Sequence, residues 1–475
     1  MVLNFCPYLG RGTMVSILAL TLAACQSMRG PEPVVHADLP LAYPHAHGQT
    51  IAEVGYQDFF SDPRLVKVIN LALENNRNLR TATLNIERAQ QLFQISANSQ
   101  LPTIGANGGI LRQNSQGTTK AATKYNIGLG ITAYELDFWG RIRSLKDSAL
   151  DRYLATATAR DAIQITLISQ VAQTWLAYAY ANANLALAQK TLNSQQQAYQ
   201  LNQKRFNTGL DNELSVRQAQ ISVETARADV ANYKTQVVQA LNALNLVVGQ
   251  PVATHLLAQT PVKQVTSITS IGTGLPSDLL LNRPDLRSAE FKLSAAGADI
   301  GAAKALLFPT ISLTANAGYA STDLNQLFKS GTFVWSVGPS INLPIFDWGT
   351  RKANIKVAEI DQQIALSDYE KAIQSAFTEV NDALAVRATL ADRLSAQHRL
   401  LNASQAAYDL SSQRFKAGID DYLNVLDAQR SSYRAAQGLL ALEQANLNNQ
   451  IELYKSLGGG MKVQTTAVHD LSINQ

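Results

Sequence analysis

The chain contains one long internal repeat. The segment YQLNQKRFNTGLD, Tyr199 to Asp211, returns 209 residues later as YDLSSQRFKAGID, Tyr408 to Asp420. An offset of 207 residues relates the segments that begin at Pro102 and Pro309. This period far exceeds the roughly 20 to 50 residues of small stacking repeats, so each copy is a half with several elements.

The composition argues against a nucleic-acid partner. Charged residues make up 16% of the 475 residues, below the roughly 25% typical of soluble domains. The formal net charge of +4 comes from interleaved Lys, Arg, Asp and Glu without a basic block. Nucleic-acid binders instead concentrate basic residues on one surface.

The N-terminus has the pattern of an export signal. Arg11 precedes an apolar run from Val15 to Leu20, which is too short to span a bilayer as a helix and fits a secretory signal. The sequence Leu-Ala-Ala-Cys25 resembles the lipobox of bacterial lipoproteins, which implies cleavage before Cys25 and acylation of its sulfur. Gln26 after that cysteine implies, by the same resemblance, export to the outer membrane.

Two windows without Gly or Pro predict long helices. Arg141 to Thr208 and Thr350 to Ala417 each contain 68 residues, about 100 Å if continuously helical. Each ends in a glycine turn, at Gly209 or Gly418, and a second helix-like run of 39 residues follows. The sequence therefore predicts two antiparallel helical hairpins with tips near residues 209 and 418.

Four segments of about nine to eleven residues alternate apolar and polar side chains, as β-strands do. They are Ile104 to Ile110, Tyr125 to Ala133, Ile311 to Tyr319 and Phe333 to Leu343. This length and alternation are typical of transmembrane β-strands, and an ordinary half-buried sheet is the alternative. Two equivalent hairpins in an exported chain favour the membrane interpretation.

Four strands cannot close a barrel, and open edges in lipid would leave backbone groups unpaired. We therefore expect the chain to oligomerise. Phe138 and Trp139 follow the first hairpin, and Phe346 and Trp348 follow the second. These aromatics suit a girdle at the membrane interface, or equally packing at the start of a helix.

The element order and four motifs resemble the TolC-like outer membrane factors, and the lipobox points to their OprM or NodT branch. The motifs are Asp137-Phe-Trp-Gly-Arg141, Phe346-Asp-Trp-Gly-Thr-Arg351, Arg205-Phe-x-x-Gly-x-x-Asn-x-Leu214 and Arg414-Phe-x-x-Gly-x-x-Asp-x-Leu423. The resemblance covers about Tyr56 to Gly458. It implies a mainly α fold with a β-barrel portion: a trimeric twelve-stranded barrel, four strands per chain, continued by a long α-helical barrel.

The same resemblance implies a function. It predicts a passive exit duct of a tripartite, RND-type efflux system, carrying drugs or other small molecules from the periplasm to the outside. The implied state is a homotrimer in outer membrane lipid, lipid-anchored and multi-pass, with a periplasmic helical tube. Its implied partners are a periplasmic adaptor (membrane fusion) protein and an inner-membrane pump.

A gate is implied at the second tip. In OprM-like channels a Leu and an Asp narrow the inner end, and they correspond to Leu423 and Asp427. Threefold symmetry would gather three Asp427 carboxylates into a constriction sensitive to cations and pH, and a solvated carboxylate is the alternative. Arg414 is a candidate latch or an ordinary surface arginine. Asn424 and Phe415 replace an Asp and a Tyr of relatives, which weakens the charge and removes a phenol.

The two tips are the expected docking surface for the adaptor. Glycine permits close approach of a partner helix and a positive φ at the helix end. The candidate residues are Gly209, Asp211, Gly418, Asp420 and Asp421. Turn chemistry alone would explain the glycines, although not the Arg-Phe and Asp-x-x-Leu shared around them.

Other functions remain as alternatives. A type I secretion exit duct would share the channel design, and a periplasmic coiled-coil adaptor lipoprotein would share the long hairpins. The sequence shows no enzyme signature and calls for no cofactor. His36, His45 and His47 cluster near the mature N-terminus and fit a solvated linker better than a metal site.

These patterns divide the chain into six parts. They are a signal peptide (1–24, with the start at Met1 or Met14), an N-terminal lipidated and equatorial segment (25–61), repeat 1 (62–249, with its β-hairpin at about 103–136), an equatorial linker (250–276), repeat 2 (277–458, with its β-hairpin at about 310–343) and a C-terminal tail (459–475).

Overall fold

The computed structural model describes residues 28–35, 49–50, 54–114, 121–259, 262, 264–267, 271–272 and 283–459. The signal segment 1–24, Cys25, the three histidines at 36, 45 and 47, and the tail beyond residue 459 lie outside the described residues.

Helices account for most of the described chain. They are α1 (Tyr56–Phe59), α2 (Pro63–Asn75), α3 (Arg77–Asn98), α4 (Arg141–Asn207), α5 (Glu213–Val248), α6 (Pro284–Ala305), α7 (Thr350–Lys416) and α8 (Tyr422–Ser456). The strands are β1 (Gln49–Thr50), β2 (Ile104–Gln113), β3 (Ala122–Glu135), β4 (Ile271–Gly272), β5 (Thr310–Ser321) and β6 (Phe333–Asn342). The predicted fold class, mainly helical with four longer strands and a twofold internal repeat, is confirmed.

The chain divides into two compact units, and each combines parts of both repeats. We call them the sheet unit, with described residues 28–35, 85–157 and 288–370, and the hairpin unit, with described residues from 49–84, 158–287 and 371–459. Among the described residues, no helix is both long and apolar enough to cross a membrane.

The sheet unit contains a four-stranded antiparallel sheet in the order β2-β3-β5-β6. The register places apolar residues opposite one another across all three pairs, since Ile104 faces Ile131, Leu129 faces Ala317 and Ala317 faces Trp335. Side chains alternate between the faces of a sheet, so the apolar series of the four strands share one face. Polar and glycine residues such as Asn316 and Ser336 share the other.

One part of the predicted strand pattern is wrong. A β-bulge lies between Ile131 and Tyr134, where two residues of β3 oppose Thr314 of β5. Ala133 has a positive φ of 50°, and its N–H donates to Thr314 Oγ1 at 3.2 Å. The extra residue breaks the alternation, so Tyr134 and not Ala133 continues the series that includes Ile131.

An aspartate caps the corner between strand and long helix in each repeat, although the two aspartates are not at equivalent positions. The carboxylate of Asp137 accepts from the N–H groups of Ile142 and Arg143, at 3.1 and 2.8 Å. Asp347 accepts from the N–H groups of Gly349 and Arg351, each at 3.1 Å. These bonds satisfy donors that the first turn of a helix leaves free. The segments Asp137-Phe-Trp-Gly140 and Asp347-Trp-Gly349 are therefore strand-to-helix corners, and the aspartate stands one residue closer to the tryptophan in the second.

The hairpin unit has a continuous apolar core drawn from distant parts of the chain. Trp175 of α4 is fully buried, and its Nε1–H donates to the carbonyl of Leu256 at 2.9 Å. The ring of Phe59 stacks on Tyr454 of α8 with centroids 3.8 Å apart. Burial of such aromatic side chains contributes most of the stabilisation in a core of this kind.

The start of each shorter helix meets the end of a hairpin helix through one side chain. Asn76, just before α3, donates from Nδ2 to the carbonyl of Val247 at 2.7 Å and accepts from the N–H of Leu79. Arg283, just before α6, donates to the carbonyl of Ser456 at 3.1 Å. The repeat offsets relate Asn76 to Arg283 and Val247 to Ser456, so both copies use the same joint with different chemistry.

Candidate functional site at the helical tips

Both hairpin tips have the same backbone turn. Gly209 and Gly418 have φ values of 73° and 76°. The N–H of Leu210 donates to the carbonyl of Arg205 at 2.8 Å, and that of Ile419 donates to Arg414 at 2.9 Å. A glycine with positive φ, together with a hydrogen bond from the next residue back to the carbonyl five positions earlier, defines a Schellman helix end. The two tips therefore present their following residues in the same way.

An arginine braces each turn. Arg414 forms a two-bond pair with Asp420, with Nε–Oδ2 at 2.6 Å and Nη2–Oδ1 at 2.9 Å. Those hydrogen bonds hold the pKa of Asp420 below its usual value. Arg205 lies 3.5 Å from Asp211 in the first tip. Both aspartates are thus parts of the turn, in addition to being candidate docking groups.

The tips contact each other through an apolar cluster. The tip cluster consists of Ala219, Phe415, Tyr422, Val425 and Leu426. The guanidinium of Arg205 lies over the ring of Phe415, 4.7 Å from its centroid, a favourable cation–π distance. Burial raises the pKa of the Tyr422 hydroxyl to about 12. Phe415 therefore packs between the hairpins.

Apolar side chains remain exposed at the outer surface of both tips. Leu210 is 71% exposed, Ile419 is 63% exposed, and Leu214 and Leu423 are 64% and 57% exposed. Leu423 and Asp427 both lie in the first turns of α8 and are exposed. A spacing of four residues puts them on one helix face. The chain thus offers a Leu and an Asp on one uncovered face.

Asp421 occupies the N-cap position of α8, although its side chain makes no capping hydrogen bond. At the equivalent position, Asn212 accepts from the N–H of Ser215 at 3.0 Å and caps α5. The carboxylate of Asp421 is therefore not committed to its own helix end.

The four aromatic residues at the corners have two kinds of environment. Phe138, Phe346 and Trp348 are 57%, 70% and 89% exposed. Trp139 instead stacks on Phe308 with centroids 4.7 Å apart, and its Nε1–H donates to the carbonyl of Pro309 at 2.8 Å. Three of the four are available for a membrane interface, and Trp139 packs inward.

The apolar face of the sheet is exposed. Its side chains include Ile104, Leu129, Trp335, Val337 and Ile341, which are 59% to 72% exposed. Monomeric soluble proteins rarely expose contiguous apolar surface on this scale. Together with strands of ten to fourteen residues, this face has the composition of a lipid-facing barrel wall.

Sequence reasoning missed two contacts at these sites, the Arg205–Phe415 stack and the packing of Trp139 on Phe308 and Pro309. Each of these residues except Phe308 has an identical residue at the equivalent position of the other repeat. A repeat, however, does not show which of two equivalent residues has its partner within the chain.

Comparisons with known proteins agree with this architecture. The family model described as outer membrane efflux protein matches residues 68–250 and 275–459, one match for each repeat. The solvent efflux pump outer membrane protein SrpC of Pseudomonas putida is 43% identical over 413 residues, covering 86% of this chain and 87% of that protein. The cation efflux system protein CusC of Escherichia coli is 39% identical over 407 residues, covering 86% and 89%.

Solved structures give the same result. The open state of the MtrE outer membrane channel of Neisseria gonorrhoeae has a TM-score of 0.85 at 38% identity, covering 93% of this chain and 100% of that one. A fold of paired helical hairpins with an exposed amphipathic sheet is the architecture of an outer membrane channel. The chain belongs to the outer membrane efflux protein family. The prediction of an outer membrane efflux channel is confirmed.

Proposed function

We propose that three copies of the chain form a passive duct of a tripartite efflux system and that the second tip carries its gate. The strongest support is the four-stranded sheet, which has an exposed apolar face. Its two outer strands, β2 and β6, each pair on one side only among the described residues. Open strand edges are unstable in lipid. Further copies would pair these edges and close the barrel.

In this proposal the lipid chain on Cys25 adds an anchor to a protein that the barrel already holds in the outer membrane. The sequence Leu-Ala-Ala-Cys25 is the support. The substitution Cys25→Ser, with an ordinary signal peptide, should abolish fatty-acid labelling while the protein still fractionates with membranes. A fully soluble product would contradict the barrel.

The exposed tips would receive a periplasmic adaptor coupled to an inner-membrane pump. The paired exposed apolar residues, Leu210 with Leu214 and Ile419 with Leu423, support a helical partner that buries them. SrpC and CusC are named for solvent and cation efflux respectively. Because related ducts serve such different cargo, we propose that the pump, and not the duct, selects the small molecule.

The gate would consist of Leu423 and Asp427 from each copy, forming an apolar ring and an acidic ring one turn apart. Like charges gathered in a narrow lumen repel one another and attract cations. Both side chains are exposed on one face of α8 in the single chain, which leaves that face free to line an axis.

The test is single-channel conductance of the double variant Leu423→Ala/Asp427→Ala in planar bilayers. We expect a larger resting conductance and greater sensitivity of cells to bulky antibiotics, with the oligomer unchanged because both residues face water. The matched control is Leu214→Ala, since Leu214 is the repeat equivalent of Leu423 and Gln218 stands where Asp427 does. Unaltered conductance in a correctly assembled double variant would place the constriction elsewhere.

A further inference from the structure

The two repeats make contacts within the chain whose repeat equivalents are exposed. At the corner, Trp139 of repeat 1 packs on Phe308 and donates to Pro309 of repeat 2. The repeat equivalent of Trp139 is Trp348, and the equivalents of Phe308 and Pro309 are Leu101 and Pro102. Trp348 is 89% exposed and Leu101 is 66% exposed.

The tips show the same asymmetry. Arg205 of repeat 1 lies over Phe415 of repeat 2, and Phe415 is only 5% exposed. The equivalents are Arg414 of repeat 2 and Phe206 of repeat 1. The side chain of Arg414 is 53% exposed, and Phe206 is 42% exposed.

In both places, a residue of repeat 1 (Trp139 or Arg205) contacts repeat 2 of the same chain. The equivalent residue of repeat 2 (Trp348 or Arg414) would need the matching surface of a repeat 1. One chain has a single copy of each repeat, so the second set of contacts requires another copy. An interface that joins unlike surfaces head to tail closes into a ring when its rotation allows. The strand order shows the same asymmetry. Within the chain, β3 of repeat 1 pairs with β5 of repeat 2, while β6 of repeat 2 and β2 of repeat 1 lie at the two edges of the sheet.

We propose that neighbouring copies are locked by two contacts that repeat the internal ones. At the corner lock, the indole of Trp348 packs on Leu101 and donates to the carbonyl of Pro102 of the next copy. At the tip lock, the guanidinium of Arg414 lies over the ring of Phe206 of the next copy. This inference rests on the proposed oligomer and assigns the residues that join its copies.

Arg414 can form the tip lock without losing its present partner. Its equivalent, Arg205, lies 3.5 Å from Asp211 and over Phe415 at the same time. Arg414 already pairs with Asp420, so the same arrangement leaves one face of its guanidinium for an aromatic ring. Asp420 would thereby orient the lock.

The interface between copies would not copy the internal one in every detail. Within the chain, Tyr433 donates from its hydroxyl to Asp229 at 3.2 Å. The repeat equivalent of Asp229 is Gly438, and that of Tyr433 is Glu224, so this polar pair has no counterpart. The proposed locks are therefore limited to the two contacts whose residues have suitable equivalents in the other repeat.

The first test is chemical cross-linking between separately tagged chains. One chain carries Leu101→Cys and the other carries Trp348→Cys, and a short bis-maleimide is added to the co-assembled detergent-purified protein. We expect a cross-linked species that contains both tags. In the control pair, Leu101→Cys with Leu111→Cys, both thiols belong to repeat 1: Leu101 lies just before β2 and Leu111 lies within it. This pair should give little product.

The second test uses the internal contacts as matched controls. Trp348→Phe and Phe206→Ala should lower the temperature at which the oligomer dissociates, while the helical content of the dissociated chain melts as in the unmodified protein. Trp139→Phe and Phe415→Ala should lower both temperatures, because those contacts lie within the chain.

The outcomes separate the inference from the function on which it rests. An oligomer that assembles, yet shows no mixed cross-link and no selective loss with Trp348→Phe or Phe206→Ala, would overturn the two locks and leave the duct intact. A protein that stays monomeric in light scattering under all conditions would contradict the proposed duct itself.

Discussion

The sheet unit and the hairpin unit both have regularly spaced apolar residues, but the hairpin unit buries them and the sheet unit exposes them. In the hairpin unit, Trp175 is 0% exposed, within a core drawn from both repeats. In the sheet unit, Trp335 is 72% exposed on a face of aligned apolar residues. Periodicity defines which side chains share a face. It does not define what covers that face.

The difference has a chemical counterpart. The core of the hairpin unit satisfies its polar groups internally, as the bonds from Trp175 to Leu256 and from Asn449 to Ala383 show. The exposed face of the sheet has few polar groups to satisfy. A surface of that kind is stable against hydrocarbon and unfavourable against water.

The largest expected effect is in the hairpin unit. Trp175→Ala should destabilise the protein by about 3 to 5 kcal/mol, because it leaves a cavity and removes the donor to Leu256. The measurement is denaturant-induced loss of helical circular dichroism in detergent. Trp335→Ala is the control and should change the midpoint far less. Equal losses would mean that the two tryptophans are covered alike.

The next effect is in the sheet unit and depends on lipid. Val337→Arg should cost about 2 to 4 kcal/mol if Val337 lies near the middle of the bilayer, and it should reduce the heat-modifiable, membrane-assembled form. Ser336→Arg is the matched control on the adjacent residue, because Ser336 pairs with Asn316 on the polar face. Comparable assembly of both variants would show that the apolar face does not contact lipid.

The smallest effect concerns the charged joint of the hairpin unit. Burial raises the pKa of Asp285, but hydrogen bonding and charge attraction from Arg283 outweigh it, so the net pKa lies below 3.8. A carboxyl with a lowered folded pKa stabilises the fold above its unfolded value, and this contribution disappears as the pH falls through the folded pKa. Asp285→Asn should therefore weaken the acid dependence of stability below pH 3.8, measured by thermal melts.

The exposed residue Asp392 of α7 is a suitable reference for that experiment. Asp392→Asn removes one exposed carboxylate from a different helix, so it controls for the loss of a negative charge as such. If both variants gave the same profile, the Arg283 joint would make no specific contribution.

Much of the fold follows from local signals in the sequence. The absence of Gly and Pro predicts the two long helices, and glycine with the flanking Arg-Phe marks the tips. The bulge at Ala133 was not predictable, because an alanine carries no signal for a positive φ. The opposite environments of Trp139 and Trp348 were not predictable either, since their local motifs match and only their distant neighbours differ.

For the candidate site, the sequence predicts local geometry only. Leu423 and Asp427 are four residues apart, and helical geometry puts residues at that spacing on one face. The double role of Arg205, braced by Asp211 and stacked on Phe415, depends on how one hairpin packs on the other. Sequence periodicity within each hairpin contains no information on that packing.

The two long helices, α4 and α7, contain 67 residues each, and this equality limits how the gene can change. One inserted residue would advance a tip by about 1.5 Å and rotate it by about 100°. Arg205 would then turn away from Phe415 even if every helical hydrogen bond were kept. Single insertions or deletions should therefore accumulate in the β-hairpins, because the offset between the repeats changes from 207 to 209 between residues 104 and 139. We therefore expect the lengths of α4 and α7 to stay equal to each other in related proteins.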